Sequence, residues 1–166
     1  ELYRRRRVAV VHRVPAAWVP LRDARGKIVS AKVEKKAAVD FLGHVLLPGG
    51  ALPLAFDAKE VSRGSRWPLE NLKAHQYEYL RDCALTGALC FVLIAFREKD
   101  QFFILPFPVL EDRWGAWRSG GPASVRAGDK GLIAVAFPDY LSFLFEGGSE
   151  RCSPGRISWP GPRPAF

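Results

Sequence analysis

Cysteine is scarce in this chain. Cys83, Cys90 and Cys152 are an odd set with no C-x-x-C pair, which argues against a disulfide framework or a zinc site and for a reducing compartment. Cys83 and Cys90 then read as small buried hydrophobes. No apolar run reaches the roughly eighteen residues of a membrane span, and no secretory signal is visible. Histidine is also rare. His12 and His44 lack acid or cysteine partners at metal-ligand spacing, and His75 reads as structural. There is no internal repeat. The chain opens on Glu1 rather than Met, and an N-terminal piece is expected before it.

Acidic residues are few in the first quarter. Residues 1–36 carry eleven Lys/Arg against Glu1, Asp23 and Glu34, while the other 130 residues hold fourteen of each sign. The whole excess of +8 therefore belongs to the N-terminal segment. A basic segment on an otherwise neutral fold suggests contact with a phosphate backbone. The bland alternative is a solvated arm that aids solubility.

With 166 residues, 48% hydrophobic and 25% charged, the chain suits one globular domain with a real core. The expected division is a domain over residues 1–146, with a stalk at about 14–36, and a Pro/Gly-rich tail over 147–166 that is disordered or loosely held. Leu2–Arg7 reads as the end of a helix and Val8–His12 as a first strand. The Asp23-Ala24-Arg25-Gly26-Lys27 turn signal and a returning strand at Ile28–Val33 make Val14–Lys36 a basic hairpin.

Ala37–Val45 and Leu52–Lys59 follow as core strands, with Pro53 marking an edge or bulge. Val61–Arg66 reads as a polar loop, and Glu70–Leu85 as a helix with an imperfect apolar stripe that Thr86-Gly87 ends. Ala88–Phe96 is almost wholly apolar, as a strand buried on both faces would be, and Gln101–Leu105 pairs back onto it. Glu111–Lys130 reads as irregular or short helical structure, and Pro138–Phe145 as a short amphipathic helix capping the sheet. Strands, then a helix, then strands favour an α/β fold: a mixed central β-sheet flanked by helices.

Two acids stand out within this order. Asp40 closes one apolar run, and Asp57-Ala58-Lys59 closes the next. An acid, a short loop, then acid-x-lysine at a strand end is the layout of the PD-(D/E)xK nuclease site. Successive strand residues alternate faces, so Asp57 and Lys59 share a pocket while Ala58 points away. Carboxylates on adjacent strands can share a hard cation such as Mg²⁺. Asp40 and Asp57 are the expected metal ligands, with the Ala58 carbonyl as a further one. Lys59 would either orient the attacking water or neutralise the phosphate. Gln76, from the helix, would position that water or the phosphate, or else is an ordinary surface residue. Glu60 is a candidate supporting group.

The pieces Ala9-Val10-Val11-His12-Arg13-Val14-Pro15, Ala38-Val39-Asp40-Phe41-Leu42-Gly43 and Phe56-Asp57-Ala58-Lys59-Glu60 occur in the order of the RecU family of Holliday junction resolvases. So do Trp67-Pro68-Leu69-Glu70-Asn71-Leu72 with His75-Gln76 and Tyr79-Leu80, and Gly87-Ala88-Leu89-Cys90-Phe91-Val92-Leu93-Ile94. The chain resembles that family from about Tyr3 to Phe145. The resemblance implies a restriction-endonuclease-like core with a protruding stalk. It also implies a homodimer that binds four-way DNA junctions and cuts two strands with Mg²⁺ or Mn²⁺. Asp57 stands where the family usually has glutamate, and Ala38 where threonine is common.

Asp40, Asp57, Lys59 and Gln76 are thus the expected catalytic residues. Arg4, Arg5, Arg13, Arg25, Lys27, Lys32, Lys35, Lys36, Arg63 and Arg66 are the expected DNA contacts. Trp18 either stacks on an unpaired base or, more simply, packs at the stalk base. The implied setting is the cytoplasm of a bacterium or a phage-infected cell, with no membrane. Two other readings stay open: a nuclease of other branched or duplex DNA, and a catalytically weak junction-binding protein.

Overall fold

The computed structural model describes residues 1–15, 17–35 and 37–145, without the side chains of residues 18 and 33–35. The expected tail at 147–166, Lys36 and the Trp18 and Lys35 side chains lie outside that description. The chain begins with a short helix, α1 (Leu2–Arg6), and strand β1 (Ala9–Arg13). A hairpin of β2 (Ala17–Arg22) and β3 (Ile28–Lys35) follows, then β4 (Phe41–Leu47), β5 (Gly50–Val61) and β6 (Arg66–Pro68). Helix α2 spans Ala74–Leu85. After it come β7 (Leu89–Phe96), β8 (Gln101–Pro106), helix α3 (Phe107–Arg118), β9 (Ser124–Arg126) and β10 (Ile133–Val135).

Six strands form one mixed sheet in the order β1-β4-β5-β7-β8-β10. Only β5 and β7 run parallel in it; the other neighbours are antiparallel. The parallel pair needs a crossover connection, and α2 supplies it. β7 carries no charge because both its faces are covered. Leu89, Phe91 and Leu93 join one core cluster, and Cys90, Val92, Ile94 and Phe96 the other.

The first cluster, with α1 and the 138–144 segment on it, is organised by a ladder of stacked rings. Phe41, Phe56 and Phe91 sit on three neighbouring strands with centroids 4.8 and 4.7 Å apart. The second cluster is roofed by α2, α3 and the two-stranded β6–β9 ribbon, through Leu80, Phe107, Leu110, Trp67 and Val125. Gly43 lets β1 and β4 approach: an added Cβ would collide with the Val10 carbonyl oxygen.

The hairpin reading holds. β2 and β3 pair only with each other, and the Asp23 carboxylate closes their turn by accepting the Arg25 and Lys27 backbone N–H groups at 2.9 and 3.0 Å. Pro53 lies in β5 opposite His44, just before β7 begins opposite Leu54, so its missing N–H faces no neighbour.

Four boundaries differ from expectation. The strand expected from Ala37 starts at Phe41, because Ala38–Asp40 bend to bury Val39. The helix expected from Glu70 starts at Ala74. Leu69–Asn71 form a 3₁₀ turn and Leu72 and Lys73 are extended, which buries Leu69 and Leu72 separately and explains the imperfect stripe. Helix α3 starts ahead of the stretch read as irregular or short helical and makes its first part, Glu111–Arg118, helical, with Phe107, Leu110, Trp114 and Trp117 on its packed side. Pro138–Phe145 does cover the sheet, but as a strap with one 3₁₀ turn at Ser142–Leu144 rather than a helix. The Tyr3 hydroxyl ties it down, accepting the Leu141 N–H at 2.8 Å and donating to the Pro138 carbonyl at 3.1 Å.

Candidate active site

The antiparallel register places Phe41 opposite Phe56, so one step further along Asp40 stands beside Asp57. The two acids hold each other through the backbone. Asp57 Oδ1 accepts the Asp40 N–H at 3.1 Å, and Asp40 Oδ2 accepts the Ala58 N–H at 3.0 Å. Each carboxylate thereby keeps one oxygen outside this clasp, Asp40 Oδ1 and Asp57 Oδ2. The Val14 N–H, where the chain leaves for the stalk, bonds the Asp40 carbonyl at 2.8 Å and fixes this corner from the other side.

Asp57 is fully buried, alone among the charged residues described. Lys59 lies two residues on, on the same face, with Nζ 2.5 Å from Asp57 Oδ2. That contact is a tight ion pair, and Oδ2 has no other polar partner among the described residues. Ala58 is exposed, as strand alternation requires. Its N–H points toward Asp40, and its carbonyl, on the same strand edge, is on that side too.

Gln76 closes the site from the first turn of α2. Its Nε2 donates to Asp57 Oδ1 at 3.1 Å, while its Oε1 accepts from Lys59 Nζ at 3.2 Å and from the Lys73 N–H at 3.0 Å. The last bond is the back-reaching half of a capping box. One amide therefore starts the helix and orients both an acid and the lysine.

Burial pushes the Asp57 carboxyl up to about 6; the Lys59 ammonium opposes this and the nearby Asp40 adds to it. A buried carboxylate whose outer oxygen meets only the Lys59 ammonium, facing a second carboxylate, is a donor set suited to a hard divalent cation. Among the described residues no group of three or more His, Cys, Asp or Glu gathers. A metal here would thus rest on two carboxylates, a carbonyl and water, as Mg²⁺ commonly does.

Asp40, Asp57, Lys59 and Gln76 converge. His12, His44 and His75 are exposed and lie outside the site. Glu60 points to the opposite face and pairs with Arg97 at 2.8 Å, which removes it as a supporting group. Arg4 and Arg5 are exposed on α1, where Glu1 approaches Arg5 at 3.4 Å. Arg13 pairs with Phe41, so its side chain leaves from the sheet face opposite Asp57. Arg25, Lys27 and Lys32 are exposed on the hairpin, and Arg63 and Arg66 are exposed beyond the end of β5. A concavity of about 530 Å³ beside α1, lined by Tyr3, Val11, Phe41 and Tyr140 among others, contains none of the four converging residues.

The sequence profile of the RecU family, Recombination protein U, matches residues 1–129, which include this whole constellation. The chain belongs to the RecU family. Proteins named Holliday junction resolvase RecU resemble it along most of its length. That of Limosilactobacillus reuteri (strain DSM 20016) is 30% identical over 131 residues, covering 75% of this chain and 62% of that protein. That of Ligilactobacillus salivarius (strain UCC118) is 34% identical over 113 residues, 64% of this chain and 51% of that protein. A third, from Pediococcus pentosaceus, is 31% identical over 124 residues, with 71% and 59% covered. The chain therefore spans somewhat more than half the length of these RecU relatives. Among the described residues, no helix is long and apolar enough to cross a membrane.

Proposed function

We propose that this RecU-family chain is a metal-dependent endodeoxyribonuclease that cuts four-way DNA junctions by phosphodiester hydrolysis. The observation that carries the reading is the reciprocal clasp of Asp40 and Asp57, with Lys59 and Gln76 against its open side. A structural ion pair needs one acid and one base. Here a second carboxylate is held beside a buried one, an arrangement that opposes folding and suits cation binding.

Asp40 and Asp57, with the Ala58 carbonyl, would hold Mg²⁺ or Mn²⁺. The ion would supply an acidified water and offset negative charge on the phosphate. Lys59, held beside Asp57 Oδ2 and Gln76, would either orient the attacking water or neutralise a non-bridging phosphate oxygen. Gln76 fixes Lys59 through Oε1 and Asp57 through Nε2, so neither has to be ordered during the reaction. The basic hairpin, with Arg25, Lys27 and Lys32 exposed, supports a phosphate-contacting stalk. Symmetric cutting of a four-way junction calls for two sites, hence a homodimer.

The test is cleavage of a synthetic four-way junction with Mg²⁺ or Mn²⁺, beside duplex and fork controls. Preferential, paired nicking of the junction is expected. Equal cutting of duplex would point to a general nuclease, and binding without cutting under both metals to a junction-binding protein.

A further inference from the structure

Arg66 and Arg126 face each other across the β6–β9 ribbon, and neither takes part in an ion pair or side-chain hydrogen bond among the described residues. We propose that they grip one backbone phosphate of the bound DNA strand, beyond the end of β5 and a few nucleotides from the Asp40–Asp57 site. The proposal rests on the nuclease reading and adds to it a contact, Arg126, in a stretch where the sequence gives no sign of one.

The ribbon explains why the two side chains must stand together. Its inner residues, Trp67 and Val125, are fully buried against the sheet, so alternation sends Arg66 and Arg126 outward together. The Ala127 N–H bonds the Ser65 carbonyl at 2.9 Å, and the Leu69 N–H bonds the Ala123 carbonyl at 2.9 Å. Residues 65, 67 and 69 are therefore the hydrogen-bonded positions. Arg66–Arg126 is a non-hydrogen-bonded pair, the kind in which opposing side chains lie closest.

Like charges directly opposite each other weaken a strand pair, and nothing in the packing requires them. The acid three residues on, Asp129, is already engaged: its Oδ2 accepts from Arg113 at 3.2 Å and from the Arg126 backbone N–H at 3.0 Å. Two neighbouring guanidinium groups suit a phosphate, which offers several oxygens to their planar forks and relieves their repulsion.

The position also fits. Asp57, Lys59 and Val61 share one face of β5, and Trp67 packs on that same face with Val61. Arg66 opens the return path from the end of β5 to Gln76. Four residue steps along the strand separate Asp57 from Val61, roughly 13 Å. Arg63, exposed at the tip of the intervening loop, lies alongside; Glu98 braces this loop by accepting the Gly64 N–H at 2.7 Å.

The experiment is junction binding by fluorescence anisotropy over a salt series, in EDTA, for wild type, Arg66→Gln, Arg126→Gln and the double variant. Arg118→Gln, an exposed arginine at the end of α3, is the control. Each single change is expected to weaken binding about five- to tenfold. The double is expected to lose little more than either single, and its salt slope to fall by about one. Without DNA, the single variants should melt at or above the wild-type temperature, since repulsion is removed. Wild-type binding with unaltered variants, or losses that simply multiply in the double, would overturn the shared grip alone. A variant that melts well below wild type would mark a structural role and also overturn it. Wild type that fails to bind the junction overturns the parent reading as well.

Discussion

Replacing Asp57 by Asn is expected to stabilise the metal-free protein and abolish cleavage at the same time. The folded carboxyl ionises at about 6 against an ordinary 3.8 because it is buried beside Asp40. A group whose pKa rises on folding binds its proton more tightly in the native state. Its stabilising contribution is complete below pH 3.8 and is lost as pH rises through about 6. Above that, keeping the charge buried costs the fold about 3 kcal/mol, from the pKa difference at roughly 1.36 kcal/mol per unit.

Asn keeps an oxygen for the Asp40 N–H and Gln76 Nε2, but loses the attraction to Lys59. That attraction is already contained in the folded value of about 6, so the net gain near pH 8 is up to about 3 kcal/mol, or roughly 6–12 °C in melting temperature. The assay is thermal unfolding in EDTA between about pH 5 and pH 8. Wild type should lose stability across this range relative to the variant. Excess Mg²⁺ should then raise the wild-type melting temperature and leave the variant unmoved, since only a binder of the native state shifts it. A variant less stable than wild type near pH 8, or one with the same pH slope, would refute the claim that Asp57 is a carboxylate held at a cost.

Gln76→Ala should lower cleavage by about ten- to a hundredfold and destabilise by about 1 kcal/mol, because it removes both the clasp on Lys59 and the cap on Lys73; single-turnover cleavage and urea unfolding measure the two. Gly43→Ala should destabilise by about 3 kcal/mol or prevent folding, since its Cβ collides with backbone rather than with a side chain that can move; soluble yield and melting temperature check this. Neutralising Lys27, Lys32, Lys35 and Lys36 together should weaken junction binding and flatten its salt slope by up to about 0.9 per charge that meets phosphate. An unchanged slope would show that the hairpin does not contact the DNA backbone.

Much of the site was readable before folding because it is local. Asp57 and Lys59 share a face by strand alternation alone, and Asp23 with Gly26 announces the hairpin turn. β7 declares itself by carrying eight consecutive residues without a charge. Helix α3 was only partly legible: Phe107, Leu110, Trp114 and Trp117 keep helical spacing, but Pro108 and Gly115 in the same window leave irregular chain as an equal reading. Gln76 could be proposed from sequence, but its three simultaneous bonds follow from where α2 begins. That in turn follows from burying Leu69 and Leu72 ahead of the helix.

Sequence alone settles the chemistry on offer: which acids, which lysine, and a basic N-terminal segment, since composition and two-residue periodicity need no partner to be read. Tertiary structure decides what these groups face. The register that puts Asp40 beside Asp57 is set by the tight turn joining β4 to β5, whereas the ribbon that sets Arg66 against Arg126 joins strands far apart in the chain, and no local preference encodes that pairing. The burial that lifts the Asp57 carboxyl belongs with it, because exclusion of water is a property of the packed sheet and its roof.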